Sequence, residues 1–152
     1  MTDSLVLVHP DAGTTAQMIA GRLLAAVQEA LVLRGTAHVA LTGGSMGSAL
    51  VTALADHPAV SVVDWSRVHL WWGDERYLPS GDVDRNDTQN ADAGLARLPL
   101  DPAKVHHVPG PDDSESAEAA AAAYERALRV SGGGAGDQAM YVACLASFLD
   151  PA

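Results

Sequence analysis

The run Val39-Ala40-Leu41-Thr42-Gly43-Gly44-Ser45-Met46-Gly47 decides the reading of the fold, because an apolar strand passes directly into a glycine loop. Ala49, Leu50, Ala53 and Leu54 then recur at helical spacing, so the order is strand, glycine loop, helix. Upstream, Ala16, Ile19, Ala20, Leu23, Leu24, Val27, Ala30 and Leu31 predict a helix that Gly35 stops. Before it, the apolar residues 5–8 predict a strand closed by the turn at 9–13. Downstream, Val68, Leu70 and Trp72 alternate with His69 and Trp71, which predicts a strand over residues 67–72 covered on both faces. Strands alternating with helices predict an α/β fold with a parallel sheet, and ligands of such sheets bind beyond the carboxyl ends of the strands.

Two segments follow strand ends and are expected to share one crevice. In the first, Gly43 and Gly44 let backbone N–H groups approach an oxyanion, the helix start adds partial positive charge, and the Ser45 hydroxyl adds a donor. Its spacing is neither that of a Walker loop nor that of a dinucleotide fingerprint, and Ser45 lacks a nucleophile-elbow setting. A purely structural turn remains the alternative. In the second, Gly73-Asp74-Glu75-Arg76 places three charges directly after an apolar strand. Such charges must pair or meet a ligand, so the alternatives are an internal Glu–Arg or Asp–Arg pair and a site. Asn86, after Arg85, reads either as a polar ligand contact or as a turn or cap residue. The tandem Trp71-Trp72 reads as core.

Composition narrows the partners. Nineteen acidic against nine basic side chains give a net charge of −10, with Lys104 the only lysine, so the long-range field repels nucleic acid and anionic membranes. The single Cys144 excludes an internal disulfide and suits a cytoplasmic setting. The amino-terminus shows no cationic leader pattern, and no uninterrupted apolar run nears the roughly 20 residues a membrane span needs, so neither export nor a membrane span is expected. Of the histidines at 9, 38, 57, 69, 106 and 107, only 106 and 107 are neighbours, and on a strand they point to opposite faces, so no metal site is expected.

The rest of the chain predicts a short helix within residues 86–98 with Ala91, Leu95 and Leu98 on one face, and a brief strand over 105–108. An alanine-rich helix to about Arg129 is expected to be capped by Asp112 with Glu115. Residues 1–130 are expected to form one α/β domain, and 131–152 a Gly-rich linker and divergent tail whose apolar part, 140–149, is a strand or a ragged helix.

Taken together, Leu41-Thr42-Gly43-Gly44-Ser45, Val63-Asp64-Trp65-Ser66-Arg67-Val68, Trp72-Gly73-Asp74-Glu75-Arg76-Tyr77-Leu78-Pro79, Arg85-Asn86 and Val105-His106-His107-Val108-Pro109-Gly110 resemble the amino-terminal portion of 6-phosphogluconolactonases. The resemblance runs from about Ser4 to Val130. Glucosamine-6-phosphate isomerases share that fold and match less well at Trp-Gly-Asp-Glu-Arg. The resemblance implies a Rossmann-like fold and a cytosolic hydrolase converting 6-phospho-D-glucono-1,5-lactone to 6-phosphogluconate in the oxidative pentose phosphate pathway, without metal or organic cofactor. It also implies a sugar-phosphate cleft lined by Gly43, Gly44, Ser45, Asp74 and Arg76, with Asn86 matching an asparagine of the pattern. In that chemistry a base takes a proton from water as it attacks the lactone carbonyl, Arg76 steadies the oxyanion, and Asp74 orients the base. The family draws its base from a later Gly-x-Gly-x-Asp-Gly-His segment. Here there is no histidine after His107, and Met46-Gly47 stands where many members carry Thr-Pro. The expectation is therefore a truncated, impaired lactonase. Its alternatives are a non-catalytic sugar-phosphate binding or regulatory module and an unstable relic.

Overall fold

The computed structural model describes residues 5–131 and 141–143. Helix α1 (Ala12–Arg34) leads into β1 (Ala37–Leu41), α2 (Gly44–Ala55), β2 (Val68–Trp72), α3 (Asn86–Ala93), α4 (Ala117–Ser131) and β3 (Tyr141–Ala143). The three strands form a parallel sheet in the order β2-β1-β3, with His38 opposite His69 and Ala40 opposite Trp71. This is the expected α/β arrangement, with a parallel sheet flanked by helices.

Strand alternation sends Ala37, Val39 and Leu41 of β1 and Val68, Leu70 and Trp72 of β2 to one face, where they join the core with α1 and α2. Helix α1 begins where the Asp11 carboxylate accepts the Thr14 N–H at 2.7 Å, and ends where the Gly35 N–H bonds back to Leu31. By length and hydropathy α1 would suffice to cross a membrane, but Ala16, Ala20, Leu23, Leu24, Val27, Ala30 and Leu31 are buried in this protein's own core.

The opposite face carries aromatic rings. His38 stacks on His69 with centroids 4.4 Å apart, His106 stacks on Trp71 at 3.7 Å, and His69 Nδ1 lies 2.9 Å from His106 Nε2. The Trp71 indole N–H donates to His38 Nδ1 at 3.1 Å. Helix α4 docks through Tyr124, whose hydroxyl accepts the Trp72 N–H at 2.7 Å and donates to the Trp72 carbonyl at 3.2 Å. Burial pushes that phenol up to about 12. Burial also lowers His38 and His106, and burial together with the neighbouring cations brings His69 down to about 4.

Several local expectations are corrected. Residues 5–8 are not a strand. They lie exposed, Leu5 at 80% and Val8 at 81%, and make no backbone hydrogen bond to any described residue; apolar propensity gives no ladder without a paired edge. Residues 105–108 form only one bridge, Val105 to Leu70, although His106 and His107 do point to opposite faces, against Trp71 and Trp72 respectively. The α4 cap is Ser116, whose hydroxyl accepts the Ala119 N–H at 3.1 Å, because Asp112 is drawn away by the Ser80 N–H at 3.0 Å. The expected helix over 86–98 breaks at Gly94 into α3 and a 3-10 turn at Leu95–Arg97. Leu95 is buried as expected, but the buried residues of α3 itself are polar: Asn86, Asp87 and Asn90. The Gly-rich run at 132–136 and the tail beyond 143 lie outside the described residues.

That polar face belongs to an ion network that fixes the segment after β2. The Glu75 carboxylate accepts the Asn86 N–H at 2.7 Å and the Asp87 N–H at 3.0 Å, capping α3 from a distant loop. Arg85, 1% exposed, donates in fork geometry to Asp87, with both contacts at 2.9 Å, and lies 3.8 Å from Glu75. It also donates to the carbonyls of Leu78 and Val108 at 2.9 and 2.7 Å. Burial alone would raise Asp87, but the hydrogen bonds from His107 and Arg85 hold its carboxyl far below the usual carboxylate range.

Arg85→Ala removes the guanidinium that neutralises two buried carboxylates, and urea unfolding should show a loss of about 3–5 kcal/mol; a loss near that of an ordinary surface substitution contradicts the network's role. The ring cluster makes a separate prediction. An imidazole whose folded pKa is lowered stabilises the fold fully above its ordinary value and loses that contribution as pH falls, so the urea midpoint should drop between about pH 6.5 and 4. His69→Gln should flatten the drop, and an unchanged slope counts against the assignment.

Candidate functional site

The glycine loop and the charged turn meet beyond the carboxyl ends of β1 and β2. Gly43 is a glycine because the Asn86 side chain occupies the space a Cβ would take, and Gly44 adopts φ 75°, a left-handed conformation that side chains resist. Asn86 Nδ2 donates to the Asp74 carbonyl at 2.9 Å and to its carboxylate at 3.3 Å. Gly43, Asn86 and Asp74 thus form one continuous contact, with Asn86 buried at its centre.

Next to this contact opens a cleft of about 630 Å³ lined by Gly44, Arg76, Asn86, Asp84 and Gln89 among others. The Arg76 guanidinium is exposed and forms no ion pair with any described residue. Helix α2 starts with no side-chain cap and no acidic residue in its first turn, so its leading N–H groups are open to an acceptor. An unpaired cation and an uncapped helix start beside one cavity favour an anionic or oxygen-rich ligand.

Of the expected site residues, Gly44, Arg76 and Asn86 line this cleft, while Gly43 and Asp74 support it through Asn86. Ser45 is exposed on the first turn of α2 and is not among the lining residues. No histidine lines the cleft either. His106 is engaged with Trp71 and His69 on the aromatic face of the sheet, and His107 faces Asp87 and Trp72. Sequence reading missed Glu75, Arg85 and Asp87. The charged turn contains no internal Glu–Arg or Asp–Arg pair; Glu75 instead reaches across the 77–84 loop to Arg85. No local spacing announces a pair that only the folded loop creates.

Comparison with known proteins gives the family and the fold. The family described as Glucosamine-6-phosphate isomerases/6-phosphogluconolactonase matches residues 10–143. A 6-phosphogluconolactonase of Streptomyces coelicolor is 47% identical over 125 residues, covering 81% of this chain and 48% of the relative. One from Mycobacterium leprae is 41% identical over 125 residues, covering 81% and 50%. The chain therefore spans about half the length of the curated relatives it matches. Among solved structures, the Thermotoga maritima 6-phosphogluconolactonase superposes with a TM-score of 0.72 at 21% identity, over 85% of this chain and 55% of that one. A monomeric glucosamine-6-phosphate deaminase reaches the same TM-score at 15% identity, over 85% and 52%, so these two likenesses speak for the fold. By family match and by sequence identity, this chain belongs to the glucosamine-6-phosphate isomerase/6-phosphogluconolactonase family.

Proposed function

We propose that this chain carries the amino-terminal half of a 6-phosphogluconolactonase cleft: it binds a phosphorylated sugar lactone, and on its own residues hydrolyses it slowly. The observation that carries the reading is the single cavity shared by Gly44, Arg76 and Asn86, with Asp74 fixed behind it. In this reading Arg76 and the open start of α2 receive the ligand's anionic oxygens, with Ser45 contributing from the rim of the loop. Asn86 fixes the Asp74 carboxylate behind the cleft wall. No cofactor is required, since lactone opening needs only water, a base and a stabilised oxyanion. A cytosolic setting is part of the same proposal, as is one α/β unit over residues 1–130 whose sheet Tyr141–Ala143 joins as a third strand.

The missing element is the base. Asp74 accepts from Asn86 rather than from an imidazole, and the cleft has no histidine in its wall. Loss of a general base typically slows such a step by about 10²–10⁴-fold. Binding without efficient turnover is thus the behaviour expected of this chain, which overlaps the reading of a sugar-phosphate binding module.

Acid release from 6-phospho-D-glucono-1,5-lactone in a pH-stat should be at least about 10²-fold slower than with the Streptomyces coelicolor relative. Turnover equal to the relative's sinks the impaired-lactonase reading. Calorimetric titration with 6-phosphogluconate should be saturable, and Arg76→Ala should weaken it about tenfold or more, the worth of one hydrogen bond to a charged group. Unchanged affinity in that variant removes Arg76 from the site.

A further inference from the structure

His107 lies outside the Arg76 cleft, in surroundings that suit a poised base. Its Nδ1 is 2.8 Å from Asp87 Oδ2. An ionised carboxylate has no proton to give, so Nδ1 carries a hydrogen, and in the neutral ring Nε2 holds the free lone pair. Asp87 is fixed in turn by two hydrogen bonds of 2.9 Å from Arg85 and by the Thr88 N–H at 2.7 Å. The ring plane is set by Trp72, whose indole stacks on it with centroids 5.3 Å apart and planes 16° from parallel. The side chain is nevertheless 58% exposed, and no described residue bonds to Nε2. One nitrogen held by a carboxylate and the other open is the geometry of an oriented general base.

This imidazole and Asp87 line a separate cleft of about 460 Å³, together with Ser80, Thr88 and Asp113. Its size suits a small molecule. The Ser80 hydroxyl reaches Asp113, and the Thr88 hydroxyl reaches Asp87, only at 3.4 Å, so both are free to turn toward a ligand at little cost. Two carboxylates with no arginine or lysine beside them in the wall disfavour phosphorylated and carboxylate ligands, whereas the Arg76 cleft sets a guanidinium beside its own Glu75 and Asp84. Hydroxyls and apolar Val108 and Pro109 favour a small uncharged one.

We propose that His107, oriented by Asp87, forms a second proton-transfer site that hydrolyses small uncharged esters. Nε2 takes a proton from water as the water oxygen bonds to the ester carbonyl carbon. The adduct collapses by breaking the bond between that carbon and the alcohol oxygen, which receives the proton back from Nε2. One ester and one water give one acid and one alcohol, and no further reactant is needed. The site uses neither Arg76 nor the glycine loop, so it stands or falls independently of the lactone reading.

The test is hydrolysis of 4-nitrophenyl acetate by the whole chain as a function of pH. The expected result is saturable turnover above that of free imidazole at the same histidine concentration. His107→Gln should lose at least about tenfold of it while His9→Gln keeps it. Asp87→Asn, which no longer fixes the imidazole tautomer, should lower kcat while leaving KM nearly unchanged, a split that a structural role alone would not produce. Diethylpyrocarbonate on the unmodified sequence, with the carbethoxylated residues mapped by mass spectrometry, provides a check free of folding effects: rate loss should track modification of His107. A wild-type rate in His107→Gln, or an intact rate once His107 is fully modified, overturns the proposal.

Discussion

The buried Arg85 guanidinium is the constraint on which the rest of this structure depends. It lies between Glu75 and Asp87 and also satisfies the carbonyls of Leu78 and Val108, so one side chain ties together the turn after β2, the start of α3 and the segment before α4. Desolvating three ionised groups is costly, and an arrangement of this kind is retained only when every oxygen and N–H finds a partner. Here Glu75 spends its oxygens on the N–H groups of Arg76, Asn86 and Asp87, which places Asn86 against Gly43 and Asp74. The cleft geometry follows from that placement. Arg76 is then left as a cation with no ion-pair partner among the described residues, beside a cavity.

The same network divides the chemistry in two. On one side of Arg85 lie the open helix start, Arg76 and Asn86, a wall suited to anionic oxygens. On the other, Asp87 turns its second oxygen to His107 and makes an acidic wall with Asp113. The two clefts are lined from consecutive residues of one helix, Asn86 in the first and Asp87 in the second, and only the first holds an arginine. The histidines separate by the same logic. Position 106 faces the aromatic side of the sheet and is consumed by stacking, whereas position 107 faces the network and keeps a free nitrogen.

Membership of the family rests on the match over residues 10–143 and on sequence identity. The chain spans about half of each relative's length, and its described residues include strand ends, a glycine loop, an arginine that pairs with no other described residue and a buried amide around one cleft. Binding groups are set by local loops, while a base must be delivered to within hydrogen-bonding reach of the attacking water. The cleft wall contains the former and no imidazole.

The sequence by itself determined the parallel α/β frame, because 3.6- and 2-residue periodicities at α1, α2, β1 and β2 are local and strongly apolar. It also marked the two loops whose glycines and charges follow strand ends, and it placed Trp71 and Trp72 in the interior. Only tertiary structure decided which charge of Gly73-Asp74-Glu75-Arg76 turned inward, since Glu75 is buried by Arg85 and the start of α3 and not by any neighbour in sequence. It likewise took Asp112 from its expected cap, gave α3 a polar buried face where periodicity looks for an apolar one, and left residues 5–8 without a ladder. The physical reason is common to all of these. Hydrophobic periodicity is written within a few residues of chain, whereas the partner of a buried charge or a strand edge is set by what the fold brings beside it.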